Sequence, residues 1–111
     1  MKHLSIVLAA GALWLSAAAV AQAQSTSPQQ LAKQHNCLTC HTTATKLVGP
    51  SYQEVAAKYR DDPKAPDYLA GKIRNGGSGV WGQVPMPPNP GISDEEVKTL
   101  VDWILAGGPE K

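Results

Sequence analysis

The sequence predicts an all-α chain of four to five short helices in one small domain. Ser-x-x-Glu/Gln capping boxes stand at Ser27–Gln30, Ser51–Glu54 and Ser93–Glu96, each able to satisfy two otherwise orphaned N–H groups at a helix start. Proline and glycine gather between the apolar-periodic stretches, where they stop helices. In the last stretch Val97, Leu100, Val101, Ile104 and Leu105 recur at the three-to-four spacing of one buried helical face.

The first segment belongs to export. Met1-Lys2-His3 is a short basic start, Leu4 to Val20 is almost entirely apolar, and Ala21-Gln22-Ala23 is a small-x-small processing site. That order predicts a secretory signal peptide over residues 1–23 and a mature domain over residues 24–111. The alternative is a retained anchor, since the 17-residue apolar run Leu4–Val20 is near the lower limit for a span. Its alanine-rich make-up and good processing site favour cleavage, so no stable membrane insertion is expected afterwards. Trp14 and His3 then leave with the signal.

In the mature part, Pro28 follows Ser27 at the first helical position, which suits a start. The helix should run through Leu31 and Lys33 to about Asn36, a residue that tolerates the left-handed backbone of a helix end. A second helix opens at Ser51, carries Val55, Ala56 and Tyr59, and stops near Asp61-Asp62-Pro63. A third begins around Pro66-Asp67, carries Tyr68, Leu69 and Ile73, and ends at Asn75-Gly76-Gly77. The last opens at Ser93, its acidic first turn favoured by the helix dipole, and stops at Gly107-Gly108-Pro109. Gly76 to Gly91 is a long segment without helix signals, and such segments often carry function.

Cys37-Leu38-Thr39-Cys40-His41 is C-x-x-C-H, the attachment signature of c-type haem. Two closely spaced thiols can each add to a haem vinyl group, and the following histidine can bind the iron from one side. A thioredoxin-like redox pair would want a βαβ context, and no strand-like alternation flanks these residues. A zinc site would need two further ligands at metal-binding spacing, which His35 and His41 do not supply. One haem held through Cys37 and Cys40 is the expectation, with His41 as proximal ligand. Its second ring nitrogen needs an acceptor, and the Gly49-Pro50 backbone could present one.

Met86 is the candidate for the other side of the iron. It is the only methionine besides Met1 and lies in Val84-Pro85-Met86-Pro87-Pro88-Asn89, where prolines restrict the backbone. A methionine in an apolar stretch commonly fills core space; its place in a stiff loop, with an iron awaiting a ligand, argues for ligation. A thioether favours reduced iron. His35 is the rival ligand, but it falls six residues before His41 on the helix leading into the haem site and reads as a packed or solvated side chain.

Composition bounds the rest. A mature domain this small is marginally stable unaided, and a haem would add an apolar centre, so the apo chain should fold poorly. Lys2 leaves with the signal, which reduces the ten basic side chains to nine against nine acidic ones. No basic excess points to nucleic acid or a lipid surface.

These residues resemble the small bacterial class I cytochromes c, in particular the short periplasmic electron-donor group. The resemblance covers essentially the whole mature chain. It rests on Cys37–His41, Val48-Gly49-Pro50, Lys72-Ile73-Arg74-Asn75-Gly76, Gly79-Val80-Trp81-Gly82, Val84–Asn89 and the closing amphipathic helix. It implies that Pro50 supplies the carbonyl for His41, that Trp81 and Lys72 hold haem propionates, and that Asn89 hydrogen-bonds the Met86 sulfur or its loop. It also implies that the first and last helices cross near the haem. The chain departs from the family at Asn36, where relatives often have glycine, and at Ala32, where some place an aromatic.

The expected function is outer-sphere electron transfer rather than enzymatic catalysis, because two axial ligands leave no place for substrate. Val48, Val80, Pro87 and Pro88 should form an apolar rim around the haem edge, with Lys33 and Lys46 nearby, suited to brief docking of redox partners. By resemblance these are a donor such as a cytochrome bc1-type complex and an acceptor such as a periplasmic reductase or terminal oxidase. The carrier is expected as a monomer in the periplasm of a Gram-negative bacterium. The rival reading is a haem enzyme or gas-binding protein with Met86 detached. Trp103 reads as core or haem packing, and Tyr52, Tyr59 and Tyr68 as packed residues with hydroxyls at the surface.

Overall fold

Three serines open three of the four α-helices among the described residues, each through a reciprocal capping box. In this computed structural model, which describes residues 10–18 and 26–111, Ser27 caps α1 (Pro28–Gln34), Ser51 caps α2 (Tyr52–Lys58) and Ser93 caps α4 (Asp94–Leu105). The basic start with His3 and the processing site Ala21-Gln22-Ala23 lie outside the described residues. At α2 the Ser51 hydroxyl accepts from the Glu54 N–H at 3.1 Å, and Glu54 Oε2 accepts from the Ser51 N–H at 2.8 Å. A lost cap of this kind costs about 1 kcal/mol.

The third helix, α3 (Ala65–Asn75), begins one residue before Pro66 and has no side-chain cap at Lys64. Instead the Lys64 N–H donates to Asp62 Oδ1 at 2.8 Å, so the preceding turn closes on itself. α1 stops at Gln34 rather than Asn36, because His35 takes the capping position and Asn36 turns left-handed at φ 60°. That reversal feeds a single 3₁₀ turn at Cys37–Thr39.

α4 is the hub. It packs against α1, α2 and α3, burying Val97, Leu100, Val101 and Trp103 against Leu31, Ala32, Val55, Leu69 and Ile73. Full burial of such side chains stabilises by about 1.5–3 kcal/mol each, which explains why one twelve-residue helix organises the others. Ile104 and Leu105, expected on the same face, are half-buried and pack at its margin. Arg74 pairs with Asp94 between the end of α3 and the start of α4, and His35 Nε2 lies 3.7 Å from Glu96 Oε1 between α1 and α4.

The chain beyond α4 folds back. The Pro109 carbonyl accepts from Trp103 Nε1 at 2.9 Å and from Gln29 Nε2 at 3.0 Å, so one oxygen joins α1 and α4. Among the described residues there are no strands, only isolated bridges at His41–Lys46 and Gly77–Met86. No described helix is long and apolar enough to cross a membrane.

Candidate haem site

The 3₁₀ turn winds the C-x-x-C-H run tightly. The Cys37 carbonyl accepts from the N–H groups of both Cys40 and His41, at 3.1 and 2.9 Å. Both cysteines are unpaired and half-buried, and burial pushes the Cys37 thiol pKa up. Their spacing therefore places two thiols and one imidazole at the mouth of one cleft.

His41 is held on several sides. Its Nδ1 lies 2.8 Å from the Pro50 carbonyl oxygen, which makes Nδ1 the protonated nitrogen and leaves Nε2 free to bind a metal. The Gly49 N–H donates to the Cys40 carbonyl at 2.8 Å, drawing the Gly49-Pro50 segment over the histidine. Only glycine fits there, since a Cβ at Gly49 would fall 2.5 Å from His41 Cε1.

Tyr52 stacks on the same imidazole, with ring centroids 5.6 Å apart and planes 25° from parallel. It is buried, and its hydroxyl oxygen is shut off from solvent with no hydrogen-bond partner. This corrects the expectation of a surface hydroxyl. The Tyr52 N–H donates to the Thr42 carbonyl at 2.9 Å, which swings the first residue of α2 inward. Trp103 closes against its ring at 4.7 Å. Burial, followed by the nearby Cys37 charge, pushes the Tyr52 phenol well above its ordinary value. Tyr59 and Tyr68 pack ring to ring at 5.4 Å, Tyr59 half-buried and Tyr68 exposed.

Met86 arrives on the long Gly76–Gly91 segment. Gly77 and Met86 exchange two backbone hydrogen bonds, at 3.1 and 2.8 Å, which closes the intervening residues into a loop. Gly76, at φ 68°, is approached so closely by the Met86 carbonyl oxygen that no side chain fits. Asn89 ties the far side down. Its N–H reaches the Ile73 and Arg74 carbonyls at 3.1 Å each, and its side-chain amide donates to Ile73 at 3.0 Å. The Asn89 side chain therefore bonds the end of α3 and not the Met86 sulfur or its loop, which corrects the expectation drawn from the resemblance: the Ile73 carbonyl, left open at the helix end, takes the amide.

The residues singled out in the sequence converge. Cys37, His41, Pro50, Lys72, Trp81 and Met86 line one cleft of about 840 Å³, with Leu69, Ile73 and Leu100 among its apolar walls. An adjoining cleft of about 1270 Å³ shares Cys37, His41, Pro50, Trp81 and Met86 and adds Cys40 and Asn89. An imidazole and a thioether suit iron, two thiols suit vinyl groups, and an ammonium with an indole N–H suits carboxylates. This donor set in an apolar slot fits a covalently attached haem. His35 closes the end of α1, and its Nε2 lies 3.7 Å from Glu96 Oε1, beyond hydrogen-bond distance, with the residue at the edge of the adjoining cleft.

Lys58 escaped the sequence reading. Its ammonium lies 5.6 Å from the Trp81 ring centroid, a cation–π distance. No local signal joins the last turn of α2 to a loop so far along the chain.

The family profile described as "Cytochrome C oxidase, cbb3-type, subunit III" matches residues 23–104. The chain is 59% identical over 75 residues to cytochrome c-552 of Nitrosomonas europaea, covering 68% of this chain and 73% of that one. It is 56% identical over 78 residues to cytochrome c-552 of Hydrogenobacter thermophilus, covering 70% and 79%. The crystal structure of wild-type N. europaea cytochrome c552 superposes with a TM-score of 0.68 at 56% identity, over 71% of this chain and 98% of that one. A class 1 cytochrome from Sideroxydans lithotrophicus ES-1 superposes at 0.64 with 34% identity, over 71% and 90%. Shared sequence over the whole helical domain, the same helix arrangement and the C-x-x-C-H turn make this chain a member of the small class I cytochromes c.

Proposed function

We propose that this cytochrome c is a periplasmic one-electron carrier whose site is built from Cys37, Cys40, His41 and Met86. Cys37 and Cys40 would hold one haem c through thioether bonds, and His41 and Met86 would supply the two protein ligands to its iron. Bound there, haem c supplies an iron that exchanges one electron between its ferric and ferrous states. The observation that carries this reading is the lining of one cleft by Cys37, His41 and Met86 together.

The remaining residues hold that arrangement steady. The Pro50 carbonyl accepts from His41 and fixes the ring orientation. Asn89 anchors the Met86 loop to the end of α3. Trp81 and Lys72 bind the propionates through an indole N–H and an ammonium, and both line the cleft. With two protein ligands the iron would have no position left for a substrate, which favours carrying electrons over catalysis, peroxidase-like chemistry or gas binding.

Electrons leave through an exposed apolar rim. Val48, Val80 and Val84 are exposed around the cleft mouths, with Trp81 at the margin. A near-neutral rim of this kind suits weak, short-lived docking with a donor such as a cytochrome bc1-type complex and an acceptor such as a periplasmic reductase or terminal oxidase. Residues 1–23 act as the export signal, and the mature carrier, residues 24–111, works as a monomer. With balanced charge, association rates should vary only mildly with ionic strength.

Optical spectroscopy of the purified ferric protein tests the ligand set. Thioether ligation gives a long-wavelength charge-transfer band, which Met86→Ala should abolish while the haem stays attached. A band that survives Met86→Ala, or purified protein without colour, refutes the assignment. Stopped-flow oxidation of the ferrous form by candidate oxidases then identifies the acceptor.

A further inference from the structure

Tyr52 has a hydroxyl that nothing in the protein satisfies. The residue is 3% exposed, and its oxygen is both closed to solvent and without a partner. Buried hydroxyls are almost always hydrogen-bonded, and an exception calls for a partner of another kind. The same ring is not free to turn away. It is stacked on His41, backed by Trp103, and approached so closely by Gly108 that a Cβ there would lie 2.5 Å from the Tyr52 side chain. Its N–H is bonded to Thr42. A donor held this firmly is part of the cleft wall.

The cleft offers an acceptor. Tyr52 and Cys37 line it together, and Cys37 packs against the buried cluster that holds Tyr52. As a thiol, Cys37 reaches only the His35 carbonyl, at a distant 4.0 Å. When its S–H adds across a vinyl group, the proton goes to carbon and the sulfur becomes a thioether. That sulfur has no hydrogen left to donate and can only accept.

We propose that Tyr52 is a positioning residue that fixes the plane of the His41 imidazole with its ring and donates a hydrogen bond from its hydroxyl to the thioether sulfur of Cys37. The inference rests on the site assignment above and adds a residue to it. A hydrogen bond donated to that sulfur would withdraw electron density from the attached haem and so favour the more electron-rich, ferrous state. The phenol therefore raises the reduction potential as well as ordering the axial ligand.

The holoprotein tests this with two variants. Tyr52→Phe keeps the stacked ring and removes the hydroxyl; it should retain haem and the ferric charge-transfer band while the reduction potential shifts downward. Tyr52→Leu removes the stack as well and should change the spread of the haem methyl resonances in the ferric NMR spectrum. In the unsubstituted ferrous protein the hydroxyl proton should exchange slowly with solvent and show nuclear Overhauser contacts to the thioether methine and methyl at Cys37. An unchanged potential in Tyr52→Phe, or contacts to propionate methylenes in place of the thioether, overturns the proposal while leaving the haem site intact. Unsubstituted protein that holds no haem overturns both.

Discussion

The two sides of the cleft are built to different standards. The histidine side is short in sequence and dense in restraint: a 3₁₀ turn, the Gly49–Cys40 hydrogen bond, the Pro50 carbonyl and the stacked Tyr52 all act within sixteen residues of Cys37. The methionine side is a loop with no helix, held by the paired bonds to Gly77 and by Asn89 on the end of α3. The difference teaches that the histidine side is fixed by many local restraints and the methionine side by a few at its ends. Local opening of a protein begins where restraints are few, so Met86 should release before His41.

Gly76→Ala gives the largest test of that contrast. It combines a backbone at φ 68° with a direct collision against the Met86 carbonyl, worth about 3 kcal/mol of lost stability. The charge-transfer band should vanish while α-helical circular dichroism and attached haem persist. Gly49→Ala attacks the other side by crowding the His41 ring, at about 2 kcal/mol. Because that ring is boxed in, the expected readout is a lower yield of haem-loaded protein rather than selective loss of Met86. If both variants lose the methionine band and keep equal haem yield, the two sides are not distinct.

Asn89→Ala should cost about 1 kcal/mol for its side-chain hydrogen bond and lower the urea concentration at which the methionine band disappears, ahead of the helical transition. Ser51→Ala, which removes the cap of α2 beside the histidine side, costs a similar amount, about 1 kcal/mol, yet should leave the two transitions coincident.

The smallest effect is one of pH. Burial, aided by the Tyr68 hydroxyl, pushes Tyr59 from its ordinary 10.0 up to about 12, and burial raises Tyr52 in the same direction. The folded state therefore keeps protons that the unfolded chain has lost. This stability is intact below about pH 10 and declines as pH climbs through the range from 10 towards 12. At the acidic end, the Ser93 N–H holds the Glu96 carboxyl below its ordinary value, so its contribution is present above that value and fades as pH falls further. Melting temperatures across both ranges check each sign.

Much of this was legible in the sequence because the signals were local. Ser27, Ser51 and Ser93 are N-caps where their boxes predicted them, and Asn36 is left-handed at the end of the first helix. α3 starts one residue ahead of the Pro66-Asp67 signal, because no side chain caps it and nothing local marks Ala65. The burial of Tyr52 was not legible, since the first residue of a capped helix ordinarily faces out. What turns it inward is a bond to Thr42 and the space left by Gly108, both properties of the assembled fold. The same holds for Lys58 over Trp81. The C-x-x-C-H run and the proline-flanked Met86 stand out by their spacing alone, and the fold brings Cys37, His41 and Met86 to one cleft.

The carbonyl of Pro109 works as a clasp near the carboxyl end of the chain. Truncation after Gly108 would release the Trp103 indole and the Gln29 amide together, loosening the first and last helices at once.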